Sequence, residues 1–355
     1  MIEPRRACPI RPAGTGALVA LALVLAAGCR APQPPAAEAD APQVVAADGV
    51  LCDLTTTLAG SAASVSCLLE PGDDPHSFAL TPSDREELEG ADHVFINGLT
   101  LTPQLESLRD RDNVTWTAEA PGIKPVSLKD IGHADHHDDH DDEAHAGDDH
   151  TGHDHDGHAH GDQDPHVWHN PTNTAVMAGV ISARLQLLAP DDTAGLDARL
   201  QQAQVVLSDL DAWAEQAFST LPSGSRTLAT SHRAFASLAD RYDLQDLAVI
   251  GAHGSGDLLR PADLANLAEE LRSQGVTILF PEQTPPGKAL QTIASRTGLP
   301  LSDTALLADG TAPGSSLVAT FVSNVCTIAE GLGGNCDRPA GDALIERWQA
   351  IRTER

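Results

Sequence analysis

The residues of this chain best suited to chemistry are histidines, and most of them lie in one place. Between Gly132 and Gly161 stand His133, His136, His137, His140, His145, His150, His153, His155, His158 and His160, interleaved with Asp and Glu and with no Lys or Arg. Neutral imidazole is the commonest protein ligand for Zn²⁺, and carboxylate oxygen is a competent second. The tract contains nothing larger than Ala to bury, so it cannot offset its own ordering entropy and is expected to be a disordered loop over 132–162. So many imidazoles favour an auxiliary metal collector over a plain acidic linker. The tract runs directly into Asp164-Pro165-His166-Val167-Trp168.

His166 is one of three histidines set in turn-rich segments beside expected secondary structure. His76 follows Asp74-Pro75 and precedes Ser77-Phe78, and His232 stands in Thr230-Ser231-His232-Arg233-Ala234-Phe235. A lone histidine is more often structural than ligating; three at the ends of strands change the balance. His93, opening a strand, and His253, in a Gly-rich loop, read as ordinary residues. His169 reads either as a group behind the ligands or as an exposed side chain. Trp116, Trp213 and Trp348 read as packing residues.

The elements that must position these groups alternate. Val44 to Ala47, Ser64 to Leu69 and His93 to Ile96 read as buried strands, with helices at 50–60, from Thr81-Pro82-Ser83-Asp84 onward and at 102–108. Helix 172–188 is broken at Ala189-Pro190-Asp191. Leu196, Leu200, Ala203, Val206, Leu210, Trp213, Ala217 and Leu221 then recur at helical spacing. A second series follows, with strands at 227–229, 248–250 and 276–280 and helices near 232–241, 261–273, 285–297 and 315–331. The expected fold is α/β: two lobes, each a parallel β-sheet flanked by helices, joined by one long rigid helix. The division is 44–171 for the N-terminal lobe, 172–221 for the connecting helices and 222–355 for the C-terminal lobe. Ligand groups in such lobes gather outside the carboxyl ends of the strands.

The N-terminus reads as a targeting segment. Arg5, Arg6 and Arg11 precede an apolar stretch, Ala17 to Ala27, that is short for a membrane span. Leu25-Ala26-Ala27-Gly28-Cys29 resembles a bacterial lipoprotein cleavage box, which implies a signal peptide over 1–28 and lipidation of Cys29. Residues 29–43, rich in Pro and Ala, form a tether. In an oxidising compartment Cys52, Cys67, Cys326 and Cys336 suggest two disulfides with three possible connectivities. Cys52–Cys67 with Cys326–Cys336 closes the shortest loops and is preferred. A formal charge of −29 argues against nucleic acid and against a polybasic membrane patch.

Several spaced motifs resemble those of the zinc- and manganese-binding solute receptors of bacterial ABC importers. PHSFALTPSD over 75–84 is similar to that family's PHxYxxxPSD, and Ala91 to Leu99 is similar to ADxVFxNGL. DPHxW is intact at 164–168, and SHRAFASLADRYDL over 231–244 is similar to SHxAFxYxxxRYGL. The resemblance runs from Val44 to about Leu332, and the acidic His-rich insertion is a feature of the zinc-selective members. It implies a metal site of His76, His166 and His232 with a fourth ligand from the second lobe. Asp303 is the expected acid and Glu282 the alternative. The chain departs from the family at His169-Asn170-Pro171, where Leu or Thr and Asp-Pro are common.

Three imidazoles and a carboxylate suit Zn²⁺; manganese-selective relatives replace an imidazole with carboxylate, so His232 favours zinc. The implied protein is a monomeric, lipid-anchored receptor on the outer face of the bacterial cytoplasmic membrane or in the periplasm. It would capture Zn²⁺ between its lobes and deliver it to a membrane permease. The alternatives are an extracytoplasmic zinc store or buffer that relies on the tract, and a manganese receptor. An enzyme is not expected, because a carboxylate-completed site leaves no position for water, and HExxH, GxSxG and P-loop patterns do not occur.

Overall fold

The computed structural model describes residues 41–128, 163–250, 261–283 and 288–353. Its first half is a four-stranded parallel sheet built from β1 (Gln43–Ala46), β2 (Ser64–Cys67), β3 (His93–Ile96) and β4 (Val114–Trp116), in the order β2-β1-β3-β4. The central strands β1 and β3 are covered on both faces, which explains their apolar runs Val44-Val45-Ala46 and Val94-Phe95-Ile96, whereas the edge strands β2 and β4 are only half-buried. Val44, Ala46 and Phe95 point into one core cluster, and Val45, Val94 and Ile96 into another.

Helices α1 (Gly49–Ala59) and α2 (Pro82–Gly90) start on side-chain caps. Asp48 accepts from Leu51 N at 2.9 Å. At α2 the cap is Thr81, paired reciprocally with Asp84, whose carboxylate accepts the Thr81 N–H at 2.7 Å. Helix α3 (Pro171–Leu188), capped by Asn170 with Pro171 in its first turn, leads through a short 3₁₀ turn at Pro190–Asp192 into α4 (Thr193–Ser219). With 27 residues, α4 is about 40 Å long. Leu196, Ala203, Leu207, Leu210, Trp213 and Phe218 are buried along it, close to the spacing read from the sequence.

The second sheet is also parallel: β5 (Thr227–Thr230), β6 (Gln245–Ala248) and β7 (Leu279–Phe280) in the order β6-β5-β7. Around it lie α5 (Ala236–Tyr242), α6 (Pro261–Ser273), α7 (Lys288–Thr297) and α8 (Leu317–Gly331). Residues 232–235, expected to be helical, are a loop ahead of α5. The final helix, α9 (Arg338–Thr353), was not foreseen; it packs on α1, α4 and α8. Trp348 Nε1 and Leu317 N both donate to Asp53 Oδ2 of α1, at 2.8 and 3.0 Å. The largest core cluster accordingly contains residues of both sheets' surroundings and of α9.

Both disulfides take the preferred local pairing. Cys52 of α1 joins Cys67 at the end of β2, and Cys326 of α8 joins Cys336 just before α9, with Cα separations of 5.4 and 5.1 Å. Among the described residues no helix is long and apolar enough to cross a membrane. The targeting segment, Cys29, most of the tether, the histidine tract and His253 lie outside the described residues.

Candidate metal centre

Four short segments at the carboxyl ends of the two sheets converge. His76 lies in the loop after β2, where Asp74 Oδ1 accepts its backbone N–H at 2.9 Å. His166 is held from β3: Asn97, directly after that strand, donates from Nδ2 to the Pro165 carbonyl at 2.9 Å. The next residue, Gly98, has φ +97°, and a Cβ there would stand 2.7 Å from Glu119 Oε1, so glycine is required at this turn. His232 comes two residues after β5, with Thr230 Oγ1 donating to its carbonyl at 2.8 Å.

The fourth segment is an extra edge beside β7. Leu301 pairs with Leu279, and after an outward turn Leu306 pairs with Glu282. Asn324 of α8 then clamps Leu307 from both sides, accepting its N–H at 3.0 Å and donating to its carbonyl at 2.8 Å. Asp309 is the next charged residue along this edge.

The Nε2 atoms of His76 and His166 are 3.2 Å apart, and each lies 2.9 Å from Asp309 Oδ1. His232 Nε2 is 3.5 Å from Asp309 Oδ2. One ligand atom from each of the four residues lies within 4.8 Å of all the others. Ligands about 2.0–2.1 Å from a tetrahedral Zn²⁺ are about 3.3 Å from one another, so this cluster has the scale of a closed N₃O shell. His232 Nε2 and Asp309 Oδ2 are buried and have no hydrogen-bond partner among the described residues. A cation between them would satisfy both.

Further acceptors hold the imidazoles from behind. Asp164 Oδ1 is 2.8 Å from His166 Nδ1, while its Oδ2 accepts from the Ser237 N–H and hydroxyl, both at 3.1 Å. Glu282 Oε2 is 2.5 Å from His232 Nδ1, and its Oε1 accepts from Ser231 N at 2.9 Å. A carboxylate on Nδ1 fixes the tautomer that turns the Nε2 lone pair to the metal and makes it more basic.

Electrostatics agree with a cation-binding role. Burial alone would raise the carboxyl of Asp309, but the three histidines facing it outweigh burial and hold the group well below the carboxylate range. Burial opposes charging of His166, yet Asp164 and Asp309 push it up to about 9. His232 is raised well above its ordinary value by Glu282 and Asp309 despite burial. His76, with burial dominant, is lowered.

The structure thus brings His76, His166 and His232 together, but with Asp309 and not with Asp303. Asp303 is exposed. It sits on the outward turn between the pairings with Leu279 and Glu282, where Ser302 Oγ donates to the Thr304 carbonyl at 2.9 Å. The edge resumes at Leu306, so the inward-facing acid comes six positions later. Glu282, the alternative acid, lies behind His232 and not in the donor cluster. The signal for Asp309 was the apolar run Ala305-Leu306-Leu307-Ala308 ending in Asp309-Gly310. His93 is buried on β3 against Thr115 Oγ1 at 2.8 Å, away from the cluster. His169 is buried rather than exposed.

Comparison with known proteins places these features. The profile of the family described as ZnuA, zinc-uptake complex component A periplasmic, matches residues 44–331. The manganese ABC transporter substrate-binding lipoprotein PsaA of Streptococcus mitis is 23% identical over 330 residues, covering 90% of this chain and 98% of that protein. The metal ABC transporter substrate-binding lipoprotein SsaB of Streptococcus sanguinis is 24% identical, covering 82% and 89%. Among solved structures, the periplasmic zinc binding protein TroA from Treponema pallidum superposes with a TM-score of 0.67 at 22% identity, covering 82% of this chain and 99% of that one. Fe(III)-bound YtgA from Chlamydia trachomatis gives 0.65 at 20% identity, covering 83% and 99%.

Proposed function

The chain belongs to the family of zinc-uptake complex component A, periplasmic, and on that premise we propose that it is the substrate-binding protein of a metal ABC transporter with Zn²⁺ as its substrate. Members of this family are receptors for a metal solute and not enzymes. The observation that carries the zinc reading is the donor set, three imidazoles and one carboxylate oxygen within 4.8 Å of one another. Imidazole nitrogens suit Zn²⁺, whereas Mn²⁺ prefers more oxygens. A manganese reading has support in the Streptococcus relatives named for that metal; the His232–Glu282 pair speaks against it, because that carboxylate faces Nδ1 and leaves nitrogen toward the cluster.

In this reading His76 and His166 come from the first half and His232 and Asp309 from the second, so the metal links the halves. The receptor would be anchored by lipid on Cys29, act as a monomer outside the cytoplasmic membrane and pass Zn²⁺ to a permease. The tract over 132–162 would collect zinc weakly at many points and raise its local concentration.

Calorimetric titration of Zn²⁺ and Mn²⁺ into the full chain, beside a chain lacking 133–160, tests the reading. One tight zinc site retained in both, with weaker sites lost on deletion, is expected. Asp309→Ala should weaken the tight site severely, leaving the three imidazoles to bind zinc less well, and Asp303→Ala should leave it intact. Loss of all tight binding on deletion would make the protein a buffer, and tighter Mn²⁺ than Zn²⁺ would overturn the metal assignment.

A further inference from the structure

His169 sits in the 3₁₀ turn Val167–His169, three residues after His166. Its Nε2 lies 2.9 Å from the carbonyl oxygen of Ala308, the residue before Asp309. A carbonyl only accepts, so Nε2 carries the proton and donates. The ring is 4.6 Å from that of Phe235, three residues after His232, and 5.5 Å from that of Trp168. One buried side chain therefore touches the segments that carry three of the four donors, and it crosses from the first half of the chain to the second. Burial keeps it uncharged, pushing its pKa down to about 4. Leucine would fill this space but would leave the Ala308 carbonyl without its donor.

We propose that His169 is a positioning residue for Asp309, holding the acid in register with the three imidazoles so that the metal centre is formed before metal arrives. The inference rests on the reading of that centre as the zinc site. Two independent features of the Asp309 segment support it. Asn324 clamps the segment at Leu307 from the second half, and His169 holds it at Ala308 from the first. Together they leave Asp309 little freedom to swing out.

The test is a cycle of variants of the full chain, with Zn²⁺ affinity measured by competition against a chromophoric chelator and metal-free melting followed in parallel. His169→Leu is expected to weaken zinc about 10- to 100-fold, as loss of an outer hydrogen bond does at other metal sites. His169→Gln, whose amide can still donate to Ala308, should stay within about threefold of the parent. In an Asp309→Ala background, where the acid is already gone, His169→Leu should add less than about twofold. Equal weakening by His169→Leu in both backgrounds would reduce its role to general packing and overturn the proposal. So would unchanged affinity on His169→Leu, or equal losses for Leu and Gln. Failure of the parent chain itself to bind Zn²⁺ would instead sink the functional reading.

Discussion

Each imidazole of the cluster whose Nδ1 partner is visible is backed by a carboxylate, and the consequence can be measured at His232. Glu282→Gln keeps the shape and an acceptor oxygen but removes the charge from Nδ1, so His232 becomes a poorer donor. Zinc affinity should fall about 10-fold while the parent fold persists, as chelator competition and circular dichroism would show. Unchanged affinity would mean that Glu282 serves only the Ser231 turn. The three histidines were legible because imidazole is scarce outside the tract and stood in Asp-Pro and Ser-His turns. Asp309 was not, because the chain has 51 acidic residues and the short apolar run ahead of this one is a weak signal among them. Its place is set through space, by the resumption of pairing at Leu306 with Glu282.

Strand β6 carries a different acid. Asp246 is buried, neither carboxylate oxygen has a hydrogen-bond partner among the described residues, and Arg233 Nε lies 3.8 Å away. Burial, with Asp164 and Glu282 adding to it, pushes its pKa up to about 7. The folded value exceeds the unfolded one, so the folded chain binds the extra proton, and stability falls as pH rises from about 4 through 7. Asp246→Asn should therefore stabilise the protein at pH 8, by up to about 4 kcal/mol, and gain nothing near pH 3. Urea unfolding at the two pH values decides it, and an equal gain at both would remove the electrostatic explanation. Periodicity revealed the long elements: α4 was legible because its apolar residues recur for 27 positions. It failed for β4, too short to show a pattern, and for α9, whose Leu344, Trp348 and Ile351 were there to be read; the strand expected over 276–280 is there, shortened to Leu279–Phe280.

At the scale of the molecule, the sequence suggested two lobes joined by a helix, and the structure adds a second tie. The Asp53 carboxylate accepts from Leu317 N and Trp348 Nε1 through one oxygen, and Arg352 approaches the other at 3.3 Å. Asp53→Ala would leave the first two donors buried and unpaired, at a cost of about 2–4 kcal/mol. A single lowered thermal transition is expected; two separated transitions would show that the halves unfold independently. The same tie bears on how the protein comes into being. Asp53 and Trp348 are separated by 295 positions, nearly the whole described chain. While the chain is still incomplete, α1 has one flank bare until the final helix arrives, and the first sheet cannot complete its helical layer on its own. A growing chain arrested at Asp337 should therefore remain open to protease, and the step that seals the first-made part of the molecule is the arrival of the last.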